Sequence, residues 1–199
     1  MVVRDYMSSK VITVDRQCAV ADAGALLRKH RIRQLPVVRK DRLVGIITDR
    51  DLRGTPAATK TVGEIMTAKP TVIGPGTPID EAARLLRKLK VGALPVVDDR
   101  RLVGIITTAD VLDAFVEFCG VTEPTYHLML AGSGGAGTRW RVRRIIDQKH
   151  GDLKWIYRDR RSGKVDLRLK ATNIDDIVSA LEADGFDVST ILSPGRQRA

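Results

Sequence analysis

The sequence predicts an α+β protein built from two copies of a β-α-β-β-α unit followed by a smaller β-α-β-β-α-β module. Three observations carry this prediction. Residues 7 to 51 recur at a constant offset of 59, with 19 of 45 positions identical and no gap, and self-similarity of this kind marks one supersecondary unit used twice. Apolar spacing assigns the same strands and helices, in the same order, to both copies. Beyond residue 126 a fresh series of strands and helices begins.

In each copy a short apolar strand (Val11 to Val14; Thr71 to Ile73) leads into a helix. The buried face of that helix is Val20, Ala23, Leu26 and Leu27, or Ile79, Ala82, Leu85 and Leu86, which recur at the spacing of one helical face. Thr77 followed by Pro78 starts the second of these helices, because Thr caps and Pro suits the first turn. The runs Leu35 to Val38 and Leu43 to Ile47, repeated as Leu94 to Val97 and Leu102 to Ile106, are β-branched strands joined by a polar turn. Thr48 and Thr107 then open a further helix. A unit of this size exposes more apolar sheet than its own helices cover, so the two copies pack together as one globule.

The copies span residues 1–60 and 61–118, and the aperiodic segment 119–126 is a linker. The module at 127–199 reads as a strand (His127 to Ala131), a helix (Thr138 to Lys149), two strands (Leu153 to Arg158; Val165 to Ala171) and a turn between them at Arg161-Ser162-Gly163. A helix with Asn173 as N-cap and Gly185 just past its end follows, and Phe186 to Leu192 closes the series. This order is the ferredoxin-like plan.

Composition narrows the function classes. The chain is 43% hydrophobic and 29% charged, ordinary for a soluble protein, and no apolar run approaches the ~20 residues that span a bilayer. The start, Met-Val-Val-Arg-Asp-Tyr, lacks an export pattern, so a cytoplasmic location is expected. Cys18 and Cys119 have no metal-ligand spacing around them. His30, His127 and His150 stand singly, with no nucleophile-base-acid set and no paired carboxylates, so no enzyme is expected. The net charge of +10 favours anionic partners without choosing among them.

The strand pair containing Leu-Val-Gly-Ile-Ile-Thr followed by x-x-Asp, with Leu-Pro-Val-Val before it, resembles the CBS domain in both copies. Tandem CBS domains form a Bateman module, and the resemblance covers residues 1 to 118. It implies a non-catalytic regulatory protein that binds AMP, ADP, ATP or S-adenosylmethionine and signals through conformational or oligomeric change. In such proteins the Thr and Asp of Thr48-x-x-Asp51 and Thr107-x-x-Asp110 hold ribose and phosphate. The same spacing is also a helix capping box, and backbone N–H groups at a helix start favour an anion. A carboxylate suits two ribose hydroxyls, whereas phosphate needs cations; the resemblance places Arg33 near the phosphate, and Arg50 is a second candidate. The second copy has Gly92 and Ala109 at those positions, so the two sites are chemically unequal. Adenine is expected against the strand starts at Ile12 and Thr71.

The terminal module is similar in size and order to an ACT domain, and the whole chain resembles the acetoin-utilisation regulator type. A homodimer and a regulated protein partner follow from that resemblance. Where ACT domains carry an acidic residue and Pro-Gly after the first strand, this chain has Gly132-Ser-Gly-Gly-Ala-Gly137. Those glycines also satisfy G-x-G-x-x-G, but the hairpin that follows does not suit a dinucleotide fold. Residues 139 to 170 carry twelve Lys or Arg against four Asp. The alternation of Lys154, Ile156 and Arg158 with Leu153, Trp155 and Tyr157 predicts one cationic and one apolar face. A cationic sheet face would attract nucleic-acid phosphates, an alternative in which the repeats are a scaffold.

Overall fold

The two copies form the same elements at the same offset in the computed structural model, which describes residues 1–53, 61–132, 135 and 137–192. The glycine-loop residues Ser133, Gly134 and Ala136 lie outside the described residues, as do the stretches 54–60 and 193–199. In the first copy α1 (Val20–His30) is followed by β1 (Gln34–Arg39), β2 (Arg42–Thr48) and α2 (Asp49–Arg53). A short α3 (Val62–Ile65) and β3 (Thr67–Ala68) precede α4 (Ile79–Leu89), β4 (Ala93–Asp98), β5 (Arg101–Thr107) and α5 (Thr108–Phe118). The hairpin turns Lys40-Asp41 and Asp99-Arg100 have all four residues at positive φ, the turn whose twist matches that of the strands.

The strands expected at Val11 to Val14 and Thr71 to Ile73 shrink to single parallel bridges, Val14 to Val37 and Ile73 to Val96. Pro36 and Pro95 are the reason. Val14 N–H donates to Pro36 O and receives Val38 N–H on its own carbonyl. The next rung toward the start of β1 would need an N–H from Pro36, which proline lacks. Ile73, Pro95 and Val97 repeat the arrangement.

The unit of sequence is not the unit of packing. The core of the first copy (Val14, Ala23, Leu27, Leu35, Val37, Ile47) includes Val62 from the leader of the second, with Ile65 and Met66 against it. The core of the second (Ile73, Ala82, Leu86, Leu94, Val96, Ile106) includes Val3 from the leader of the first, with Tyr6 and Met7 against it. Ser8 exchanges two backbone hydrogen bonds of 3.0 Å with Ile105, and β3 pairs with Gly45 and Ile46 of β2. Met66 lies over Gly45 and Met7 over Gly104, each within contact distance of a methyl group placed there. The sheet order is β1-β2-β5-β4 with β3 beside β2, and the hairpins meet at Arg42 and Arg101.

Contacts divide the chain into units Met1–Ala114 and Phe115–Ala199. The second holds β6 (Tyr126–Gly132), α6 (Thr138–Gln148), β7 (Asp152–Arg158), β8 (Val165–Lys170), α7 (Ile174–Ala183) and β9 (Phe186–Leu192). Its antiparallel order β7-β8-β6-β9 is the split β-α-β arrangement. Val142, Ile145 and Ile146 of α6 and Ile177 and Leu181 of α7 close over Leu128, Leu130, Val165, Leu167 and Leu169. Asn173 occupies the N-cap position of α7 without a side-chain cap bond; its Nδ2 donates instead to Lys149 O at 3.2 Å.

The expected division of β7 into a cationic and an apolar face does not form. Leu153 faces Leu169 and Trp155 faces Arg168, so Lys154 is an extra, bulged residue and the alternation shifts by one. Leu153 and Ile156 pack on the core, while Trp155 stacks on Tyr157 with ring centroids 6.0 Å apart. Lys154 Nζ pairs with Asp152 at 2.8 Å and Glu123 at 3.6 Å, and Lys170 with Glu123 at 2.6 Å, so these cations are matched locally.

Gly45 is the tightest glycine of the first sheet. A methyl group placed on it would meet Met66 and stand 3.1 Å from the Thr67 carbonyl oxygen. Gly45→Val is expected to lower unfolding stability by about 1–3 kcal/mol through overpacking, read as the urea midpoint. Met66→Ala in the same chain should recover part of that loss, and an unchanged midpoint in the single variant would contradict the packing described.

Candidate functional site

Strand β2 ends on Thr48 and β5 on Thr107, and each threonine is tied to an aspartate three residues on. Thr48 N–H and Thr48 Oγ1 both donate to Asp51 Oδ2, at 2.7 and 2.8 Å, and Asp51 N–H donates back to Thr48 Oγ1 at 3.4 Å. Thr107 and Asp110 repeat this at 2.7, 2.8 and 3.3 Å. Both pairs are reciprocal capping boxes. Asp49 N–H donates to Arg33 O at 3.0 Å and Thr108 N–H to Gly92 O at 3.1 Å. The amides of Thr48, Asp49 and Asp51, and those of Thr107, Thr108 and Asp110, are thus engaged within the protein. Charged side chains are also at hand to meet an anion.

Those side chains converge on a cleft of about 510 Å³ in the first unit, a volume suited to a small organic ligand. It is lined by Arg33, Gln34, Ile46, Thr48, Arg50 and Arg53 of the first copy and by Thr67, Lys69 to Thr71 and Leu89 to Pro95 of the second. Five of the nine residues selected from sequence line it: Arg33, Thr48, Arg50, Thr71 and Gly92. Asp51 is held by Thr48 through the box. Ile12 packs against the core of the first copy, and Thr107 with Asp110 form the equivalent box at the end of β5.

The sequence reading missed Gln34, Arg53, Lys69 and Lys90, and the apolar wall of Leu89 and Val91. Each of these apolar residues is 40% exposed, so both offer apolar surface to a ligand. Lys90 caps the C-terminus of α4 in the left-handed conformation, φ 55°, which sets the direction in which the chain leaves the helix. Gly92 admits Gln34: a Cβ at Gly92 would stand 2.7 Å from Gln34 Nε2. A signal for Gln34 and Gly92 existed in the repeat, since the starts of β1 and β4 are equivalent positions, but only the crossed packing of the copies brings them face to face.

The cleft carries five cationic side chains, Arg33, Arg50, Arg53, Lys69 and Lys90, against one carboxylate, Asp49. Asp49 is bridged to Arg53 at 3.1 Å. A larger concavity of about 950 Å³ lies at the hairpin turns, lined by Arg39, Lys40, Arg42 and Arg101 with Asp41, Asp98 and Asp99. Its charges are mixed in sign and its apolar lining is limited to Val44 and Val103, so it offers neither a base-sized wall nor a one-signed field. Among the described residues no group of three or more His, Cys, Asp or Glu is placed to hold a metal ion, and no helix is long and apolar enough to cross a membrane.

The CBS domain family model matches residues 3–56 and 62–117. Among curated proteins, inosine-5′-monophosphate dehydrogenase of Bacillus subtilis is 35% identical over 144 residues, 68% of this chain and 29% of that protein. L-aspartate semialdehyde sulfurtransferase of Methanocaldococcus jannaschii is 38% identical over 116 residues, 57% of this chain and 23% of that protein. The chain therefore spans less than a third of either relative. Among solved structures, a CBS domain pair in complex with 5′-methylthioadenosine and S-adenosyl-L-methionine is 37% identical with a TM-score of 0.55, covering 58% of this chain and 99% of that one. CBSX2 of Arabidopsis thaliana, in complex with AMP, is 34% identical with a TM-score of 0.54, covering 58% and 96%. A Vibrio cholerae protein named for acetoin utilization is 31% identical with a TM-score of 0.57, covering 62% and 96%.

Because the two capping boxes have nearly the same geometry, Asp51→Ala and Asp110→Ala are each expected to cost about 0.5–2 kcal/mol of stability without ligand. Urea unfolding of the two variants measures this. A loss confined to one of them would show that the boxes are not equivalent.

Proposed function

The chain belongs to the CBS-domain family, and on that premise we propose that its first unit binds an adenine nucleotide in the cleft between the two copies and serves a regulatory, non-catalytic purpose. One observation carries the reading: Arg33, Thr48, Arg50, Thr71 and Gly92, selected as ligand contacts from sequence, line one cleft with an apolar wall and a cationic rim. Arg33 and Arg50 face the phosphate. Thr48 and Asp51 present the ribose contact, a hydroxyl and a carboxylate of the kind that two adjacent ribose hydroxyls can meet. Thr71 borders the base, with Ile12 as its counterpart in the first copy. Gly92 is the second copy's contact in this cleft, while Thr107 and Asp110 are the contacts of the equivalent site in the second copy, which has Ala109 where the first has Arg50. The solved relatives carrying AMP, or S-adenosyl-L-methionine with 5′-methylthioadenosine, support an adenosine ligand.

The split β-α-β topology of residues 126–192 supports an ACT-like reading of the second unit, and the acetoin-utilization relative supports a regulator of that type. In this reading the protein is a cytoplasmic homodimer, and occupancy of the cleft changes its conformation or assembly and is passed to a protein partner. Such a switch works only through differential affinity of the nucleotide for two states.

A thermal-shift series with AMP, ADP, ATP and S-adenosylmethionine tests the reading. At 100 times its dissociation constant a ligand adds about 2.7 kcal/mol, so a rise of several degrees is expected with at least one adenosine ligand. Arg33→Ala should weaken that rise. No shift with any of the four would overturn the proposal.

A further inference from the structure

We infer that the cleft selects nucleoside polyphosphates over the monophosphate and discriminates against S-adenosylmethionine; this rests on the nucleotide reading above and narrows its ligand. The observation is the convergence of cations from separate parts of the chain. Arg33 precedes β1, Arg50 and Arg53 lie on α2, Lys69 follows β3 and Lys90 caps α4, yet all five line one cleft. Asp49 answers Arg53, while the other four form no ion pair among the described residues. Like charges gathered in one concavity repel one another and focus their field into it. That arrangement favours a polyvalent anion that can touch several of them at once.

The candidate ligands differ most in charge. A phosphate monoester carries roughly −2 at pH 7, a triphosphate roughly twice that, and S-adenosylmethionine adds a cationic sulfonium. The monophosphate can be matched by Arg33 and Arg50 alone, which leaves Lys69 and Lys90 uncompensated. A triphosphate extends the anion toward the remaining cations, and arginine and lysine divide the work in the usual way, a planar fork for paired oxygens and a mobile point charge. The two arginines of α2 have no cationic counterpart in the second copy, where the equivalent positions are Ala109 and Leu112. The preference therefore belongs to the first copy's strand end. All five cations are exposed, so the selectivity must be salt-dependent.

Calorimetric titration of ATP, ADP, AMP and S-adenosylmethionine into the full chain, in metal-free buffer at low and at high salt, tests the inference. ATP is expected to bind at least tenfold more tightly than AMP at low salt, with ADP between them and S-adenosylmethionine weakest, and the ATP-to-AMP ratio should contract at high salt. The double variant Lys69→Gln with Lys90→Gln, both on the surface, should lose more affinity for ATP than for AMP. If AMP or S-adenosylmethionine binds as tightly as ATP, the selectivity is overturned while the nucleotide reading stands. An ATP preference that the double variant leaves unchanged overturns the assignment to this cation cluster. If none of the four binds, the nucleotide reading itself falls.

Discussion

Two methionines seated on two glycines bind the repeats into one body. Met66 lies over Gly45 and Met7 over Gly104, so each hairpin is covered by the leader segment that precedes the other copy in sequence. A core that includes Val62 in one half and Val3 in the other leaves neither copy with a complete apolar interior of its own. Burial of a Val or Met side chain is worth about 1.5–3 kcal/mol, and a marginally stable domain depends on terms of that size. The cleft follows from this exchange, because only two copies held in fixed register bring the start of β1 to the start of β4, with Gln34 against Gly92.

The chemistry of the cleft follows from how the backbone settles its own hydrogen bonds. The capping boxes engage the Thr48 and Thr107 amides at the two strand ends, so these ends offer a positioned hydroxyl and carboxylate. Side chains are where the copies differ. The backbone is duplicated almost residue for residue, but Ala109 and Leu112 stand where the first copy has Arg50 and Arg53, so a symmetric scaffold carries an asymmetric field. Fixed geometry with a variable charge set lets one fold serve different ligands.

Much of this was legible in the sequence, and what was not has identifiable causes. The offset of 59 placed α1, β1, β2 and α2 and their counterparts to within a residue or two, and the C-terminal order of strands and helices was read from its apolar spacing. The initial strands were over-read because the removal of a ladder donor by Pro36 and Pro95 acts on a partner remote in sequence. The face of β7 was misassigned because the bulge at Lys154 is set by pairing with β8 and leaves no mark in the local alternation. At the site, Arg33, Thr48 and Arg50 stood out through their place in a repeated motif. Lys69, Lys90 and Gln34 did not, since their proximity arises from leader exchange, which sequence periodicity does not encode.

On the proposed reading a nucleotide occupies a cleft built jointly by the two copies. Amide hydrogen exchange with and without saturating ATP tests it most directly, because local protection reports which backbone segments are held by the ligand. Residues 33–34, 48–50 and 89–95 are expected to gain protection together, with residues 126–192 changing less. Protection confined to one copy, or to the second unit alone, would contradict it.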